Sequence, residues 1–466
     1  MSDQISRNEK PARSGSLAAI LTNIGWLLGG RGVSAVLSLI YIAVITRTLG
    51  PAGFGQFALI IGIAQSLTAL VGFQTWQIMV RFGMAHLHEG RPEALARLTK
   101  ACLLLDVGGA LVGSLLALAA VGLLGPQFGW PLEVRRDALI FCAVSLVAVR
   151  STPVGILRLH DRFNVAAYAD TVMPIVRLAG ALTVWALAAS VQGFLIAWAV
   201  AEFLSAAAFW WFAVGTIRGL PWRRSRLDWA MLRAENPGLL SFAGVTNAGQ
   251  TFALASRQLP VLLVGLYVTP AAAGGFRLAY QLGQALAKVS QLGARALFPE
   301  LMRARTMSGD SDHFARLLIR SIKLAAVAGA VILAVLLLAG KPLLGLIAGE
   351  AFLPAYPLLL LLGTAAVIDL VGVGFDPALI ASGRAWLSFR IQLAVAVVMV
   401  GSLFLLIQLW GAAGAGIAVL AGSLLGFCLL GIATYRAIRR RDPPVTPADA
   451  AMLEGAEEDV DRPEAL

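Results

Sequence analysis

Six polar residues define the chemistry to look for. Arg277, Gln281, Gln284, Lys288, Gln291 and Arg295 recur at steps of three or four within PAAAGGFRLAYQLGQALAKVSQLGAR, residues 270–295. That spacing puts all six on one face of a helix. The other residues are mostly apolar, and the segment is long enough to cross a bilayer. A charged residue at mid-bilayer costs about 2.5–3.5 kcal/mol on insertion scales, so a stripe of them is tolerable only against protein or a wet cavity. A competing reading lets Lys288 and Arg295 reach the membrane surface along their aliphatic stems; it does not account for Arg277 together with both central glutamines. The chemistry of such a face is anion binding. Guanidinium groups meet phosphate or pyrophosphate oxygens with paired donors.

Other charges fall inside apolar runs: Arg31, Arg150, Arg177 and Arg257 against Glu202, Asp369 and Asp376. Asn247 and Gln250 lie near one helical face with Arg257. Such residues either serve a ligand or pair between helices. One pairing follows from depth. Arg177 lies 13 residues before the turn near Ser190 and Glu202 lies 12 after it. At about 1.5 Å per residue both sit roughly 18–20 Å from that turn. Facing is not set by depth, so Arg150 and Arg31 remain alternative partners for Glu202. A coupling role, with Glu202 holding a proton released on transport, is the alternative to a structural pair; Asp369 is a further coupling candidate.

The elements that must position these residues are membrane helices. Hydrophobic residues make up 58% of the 466 and charged residues 14%, where soluble domains carry about 25% charged; mean hydropathy is +0.79. Twelve spans are expected: 19–46, 54–80, 101–124, 137–157, 167–189, 191–215, 238–266, 270–295, 318–339, 356–381, 386–410 and 412–435. The first must run back through Trp26, which places Arg31 in the membrane, unless the helix starts at Arg31 in a thinned bilayer. Segment 342–355 is too polar to span and reads as a loop or half-helix. The fold class is therefore an all-α polytopic membrane protein of two six-helix lobes. The expected division is a polar head 1–18, a first lobe 19–215, a linker 216–237, a second lobe 238–437 and a disordered tail 438–466. PAGFGQF at 51–57 and PAAAGGF at 270–276 share P-A-x-x-G-x-F at an offset of 219. Repeats six spans apart keep the same topology, so a pseudo-two-fold axis would run along the membrane normal.

The net charge of +11 reflects Lys and Arg in short loops, and no nucleic acid partner is implied. With the N-terminus inside, inner loops carry about fivefold more Lys and Arg than outer loops, which hold Arg47, Arg135, Arg136 and Lys341. Both termini are expected in the cytoplasm, with the protein in the inner membrane among its lipids. The head lacks a signal peptide's pattern, since Arg31 interrupts the apolar run. Cys102, Cys142 and Cys428 lie unpaired in apolar runs, and no metal-ligand spacing links His86, His88, His160 and His313. No GxSxG or G-x-x-x-x-G-K-[ST] motif occurs. Neither an enzyme nor a cofactor is expected.

GWLLGGRGVSAVLSLIYIAVITRTLGPAGFGQFALI resembles the first two spans of Wzx-type bacterial polysaccharide flippases, of the multidrug/oligosaccharidyl-lipid/polysaccharide exporter superfamily. The R-x-L-G-P-x-x-F/Y-G segment carries most of the likeness, here Arg47, Leu49, Gly50, Pro51, Phe54 and Gly55. STPVGILRLHDRF and GKPLLGLIAGEAFLPAYPLLLLLG also resemble this family. The resemblance covers about residues 20 to 435. It implies two lobes around a cationic cavity, alternating access, and transfer of an undecaprenyl-pyrophosphate-linked oligosaccharide to the periplasmic leaflet. Arg31, Arg257 and Arg277 would hold the pyrophosphate by span position, and the polysaccharide polymerase machinery would be a partner. Lipid II flippase relatives are expected to carry two extra C-terminal spans, which disfavours a peptidoglycan precursor. The alternatives are a drug/cation antiporter of the same superfamily and a membrane-embedded glycan polymerase or ligase.

Overall fold

The computed structural model describes residues 17–187, 189–222, 224–287, 311–382 and 384–439, with the backbone alone for 17–35, 253, 255–256, 311–317, 381, 385 and 438–439. Lys288, Gln291, Arg295, the first sixteen residues and the tail from 440 lie outside the described residues, as does the side chain of Arg31.

Among the described residues every regular element is a helix. The first half comprises α1 (Leu17–Val71), α2 (Thr75–His88), α3 (Pro92–Gln127), α4 (Leu132–Val147), α5 (Ser151–Leu159), α6 (Phe163–Leu187) and α7 (Val191–Ile217). The short α8 (Trp229–Glu235) follows, then α9 (Leu239–Tyr267) and α10 (270–287). The chain continues through α11 (Ser311–Ala348), a 3-10 turn (Glu350–Ala355), α12 (Tyr356–Val371), α13 (Phe375–Ala381) and α14 (Ala385–Arg439). Segment 342–355, expected as a loop or half-helix, divides: its first part extends α11 and the rest is the 3-10 turn.

Eight stretches among the described residues are long and apolar enough to cross a membrane. Two of them, of 53 and 52 residues, each make two crossings. Gly50 and Gly411 are where α1 and α14 turn back, at φ 65° and 58°. A side chain at Gly50 would be strained at that φ, and Pro51 then restarts a helix without needing an N–H donor. Counting those two stretches twice, and adding α9 and α10, gives twelve passes. Among the described residues three passes are interrupted: the second at 72–74, the fourth at 148–150 and the tenth at 372–374. The fourth and tenth are six passes apart, so the interruption itself repeats between the halves.

The turns between paired passes meet at one end of the bundle, called here the turn end. Gly53 lies against Val191, Gly411 against Val268, and Phe54 stacks edge-on against Phe352 with centroids 5.9 Å apart. Arg47 closes the end by reaching across to α11, where its Nη2 donates to the Leu346 carbonyl at 2.5 Å and its Nε to that of Ile347 at 3.3 Å. These are carbonyls of the last helical turn, which lack partners of their own and carry the negative end of the helix dipole.

From the turn end the halves are joined along a seam of α1 against α9 and α10. The two P-A-x-x-G-x-F repeats touch each other there. A Cβ on Gly55 would lie 1.7 Å from the Pro270 carbonyl oxygen, and one on Gly274 would lie 2.8 Å from that of Pro51. The fifth residue of each repeat therefore meets the first residue of the other. Reciprocal contact of this kind is what a two-fold relation between the halves requires. Farther along, Leu59 packs on Gly265 and Gly62 on Leu262.

At the opposite end, the segment after α7 is docked on the first half. Lys100 donates to the carbonyls of Trp222 at 2.5 Å and Ser225 at 2.6 Å. Arg97 forms a two-bond ion pair with Glu235, His86 meets Asn236 at 2.9 Å, and Leu232 of α8 is buried. Asp228 caps α8 by accepting from the backbone N–H of Ala230.

Gly55→Ala puts a methyl into the Pro270 backbone, which has no rotamer by which to yield. It should lower the thermal midpoint of the detergent-purified protein or separate the halves at the turn end, read by spin-label distances. Gly108→Ala, a helical position with open space around it, should change neither. A silent Gly55→Ala would remove the seam from the account of this fold.

Candidate functional site

Beyond the glycine contacts the seam turns polar. Gln65 of α1 lies about 20 Å along its helix from Pro51. Opposite it stand Gln258 of α9 and Arg277 of α10. Arg277 Nη1 donates to Gln258 Oε1 at 2.8 Å and its Nη2 to Gln65 Oε1 at 3.3 Å, while Gln258 Nε2 donates to the same Gln65 oxygen at 2.6 Å. Arg277 is partly buried. Among the described residues no carboxylate comes within ion-pair distance of it, and its partners are neutral amides. The seam continues with Thr251 donating to the Ala69 carbonyl at 2.9 Å and Asn247 to that of Leu70 at 3.2 Å. Those carbonyls end α1, next to the interruption at 72–74.

A second charged group lies within the first half. Glu202 of α7 accepts from Arg177 of α6 at 2.6 Å and pairs with Arg150 at 2.8 Å. Arg150 stands at the interruption before α5, and its side chain is more exposed than the other two. Two cations share one anion, so the cluster keeps a positive excess. The Arg177 guanidinium also lies 3.8 Å from the Trp198 ring centroid, and Trp198 meets Tyr41 edge-on at 5.3 Å. Tyr41 lies within electrostatic reach of both Arg177 and Arg277.

The other residues singled out in the sequence spread around this core. Arg257 is exposed, and with Arg277 and Asp369 it surrounds Tyr280. Asp369 of α12 accepts from Ser423 and borders a cavity of about 270 Å³ within the second half, lined also by Phe375, Gln392, Met399 and Phe427. Gln281 Oε1 is buried without a partner among the described residues. Gln284 and Gln250 are partly buried. Asp376 accepts from Ser388 and from Gln392 Nε2.

This geometry can be compared with known proteins. Residues 20–305 match the family described as polysaccharide biosynthesis protein. The chain belongs to that family. It is 29% identical over 350 residues to the inner membrane protein YghQ of Escherichia coli K12, covering 74% of this chain and 97% of the relative. The fold is that of the exporter superfamily named above. An inward-facing multidrug resistance MATE transporter of the MOP superfamily superposes with a TM-score of 0.72 at 15% identity, covering 87% of this chain and 95% of the other. The lipid II flippase MurJ, in an inward closed conformation, gives 0.61 at 11% identity, covering 96% and 94%.

Several members of the polar core were not singled out from the sequence. Gln65 and Gln258 are lone amides in apolar spans, and their partners lie far away in sequence. Asp106 of α3 is buried where two interruptions meet. It accepts from Thr75 Oγ1 at 3.0 Å, from Thr152 Oγ1 at 2.5 Å and from the Thr152 N–H at 3.2 Å. The available signal was a lone carboxylate in an apolar run beside two helix-breaking segments.

Removing Glu202 leaves Arg150 and Arg177 both without their anion. Glu202→Ala should destabilise the purified protein by about 3–5 kcal/mol, more than Arg150→Ala. In a cycle with Arg177→Ala the double variant should recover part of the loss. Fully additive losses would reject the pair.

Proposed function

We propose that this protein carries an undecaprenyl-pyrophosphate-linked oligosaccharide, a lipopolysaccharide or exopolysaccharide repeat unit, across the bacterial inner membrane by alternating access. The observation that carries the reading is Arg277, held at the seam between the halves by neutral amides with no acidic partner among the described residues. Its charge remains available to an anionic group that enters the interior. Around it Arg257 adds a second cation, and the Arg150–Arg177–Glu202 cluster adds a net positive charge from the other half. A pyrophosphate needs such paired donors, while the prenyl tail can remain in lipid. Arg31, Asn247, Gln250, Gln281, Gln284 and Lys288 belong to the same proposed cavity wall.

The turn end is assigned to the periplasm and the α8 end to the cytoplasm, since Arg81, Arg91, Arg97, Lys100, Arg158 and Arg162 gather at the latter. The lobes run from 19 to 215 and from 238 to 437. The polymerase machinery that extends the glycan would receive the unit. A drug/cation antiporter needs an acidic site, and here Glu202 is held by two arginines while Asp369 lies near Arg257. A polymerase or ligase reading predicts longer glycan products in a reconstituted assay.

Arg277→Ala and Arg257→Ala should each lower surface glycan by about tenfold or more while membrane insertion stays at wild-type level. Arg277→Lys should recover only part, because an ammonium lacks the paired-donor geometry. Normal glycan in both alanine variants at normal expression would overturn the reading.

A further inference from the structure

We infer that Gln65 is the coupling residue of this site: its amide and that of Gln258 occupy Arg277 as a stand-in for the substrate's anion, and an arriving diphosphate displaces them and releases the seam. The inference rests on the cationic-site reading above and adds how binding would be transmitted to the halves.

Three hydrogen bonds make the group, and Gln65 is its member from the first half. Arg277 contributes two of the three, one to each glutamine. Both acceptors are neutral amide oxygens. An ionised phosphate oxygen is a stronger acceptor for a guanidinium than an amide oxygen, and two of them fit the guanidinium fork. A diphosphate reaching Arg277 therefore takes both of its bonds. Across the seam at this level only the Gln258–Gln65 bond is left, and the Gln258 oxygen loses its donor.

The remaining seam cannot replace what is lost. On the turn-end side the neighbours are Gly62 against Leu262 and Leu59 against Gly265, contacts without polar atoms on the side chains. On the other side are two bonds to the terminal carbonyls of α1, from Thr251 and Asn247. The Arg277 group is the only one of these that an anion competes for directly. A ligand shifts a conformational equilibrium only by its differential affinity for the two states. Here that difference has a structural source: Arg277 is held by Gln65 and Gln258 together when the seam is closed, and by Gln258 of its own half alone when the seam is open. In the first half Tyr41 meets Trp198 edge-on, and the Arg177 guanidinium lies over the Trp198 ring.

The choice of glutamine is central to the device. A glutamate at 65 would neutralise Arg277 permanently and hold the seam shut against an anion. An apolar residue would leave the seam open without one. Glutamine accepts from the guanidinium and leaves its charge unneutralised, so the closed state is bonded and still responsive.

The test uses the full-length protein in nanodiscs, with Cys428 replaced by Ser and spin labels at Leu70→Cys and Val245→Cys, both exposed positions flanking the end of the seam. The probes are inorganic pyrophosphate and farnesyl diphosphate. In the otherwise wild-type protein either probe should lengthen the distance between labels. Q65E should fold, bind pyrophosphate about tenfold or more weakly and show no lengthening. Q65A should show the longer distance without probe and bind pyrophosphate at least as tightly as wild type. Q65M, which keeps the length and apolar stem of glutamine, should behave as Q65A and guards against a folding defect in either. If R277Q binds pyrophosphate like wild type, the cationic-site reading itself fails. If binding needs Arg277 but Q65E binds normally, or Q65A and Q65M leave the distance unchanged, the coupling role of Gln65 is overturned and the site reading stands. No probe-dependent lengthening in the otherwise wild-type protein also overturns it.

Discussion

The structure depends on a place where backbone lies directly on backbone. Gly55 and Gly274 let the second and eighth passes approach to carbonyl contact at Pro270 and Pro51, closer than any residue with a Cβ would permit. In lipid there is little hydrophobic gain from joining two apolar helices, because lipid tails are as apolar as leucine. Close packing through small residues supplies the attraction instead. The glycine contact also fixes the register of everything beyond it. Leu59 meets Gly265, Gly62 meets Leu262, and the next residues along, Gln65 and Gln258, are brought face to face by the same antiparallel geometry.

That register determines where charge is tolerated. Arg277 lies just under one turn beyond the Gly274 contact, and its long side chain reaches the amides of Gln258 and Gln65. Hydrogen bonds to neutral partners contribute about 0.5–1.5 kcal/mol each and bonds to charged partners about 1.5–3. The amides therefore make Arg277 acceptable inside the protein without neutralising it. The first half reaches a similar balance differently. Glu202 is shared by Arg150 and Arg177, and Trp198 offers its ring face to the second of these. Both groups give the guanidinium donors acceptors while leaving positive charge over.

Much of the fold was legible in the residues because membrane helices obey local rules. Apolar run length gives the passes, and the P-A-x-x-G-x-F repeat marks equivalent turns. Equal depth for Arg177 and Glu202 follows from counting outward to Ser190, since helix rise is uniform. What was not legible depends on contacts between distant segments. Gln65 and Gln258 are 193 residues apart, and no periodicity within either span links them. Arg150 is an alternative partner for Glu202 by depth, but that it joins Arg177 there and does not replace it depends on the break at 148–150, which the apolar pattern of that span conceals. Arg47 reads from sequence as an outer-loop charge; its role as a partner for the end of α11 requires the halves to be assembled.

The interruptions carry the last constraint. Backbone groups freed inside a membrane must find partners within the protein. At the second and fourth passes the partner is one carboxylate. Asp106 collects both threonine hydroxyls and a backbone N–H from the starts of α2 and α5, where the positive ends of two helix dipoles converge. Ser151 joins the same two segments by accepting from the Trp76 N–H. The carboxylate thus does at the breaks what Gln65 does at the seam: it ties separate helices through one acceptor. The two differ in charge. An ionised acceptor between two helix N-termini makes a strong, fixed joint, whereas an amide on an arginine makes one that a better anion can replace.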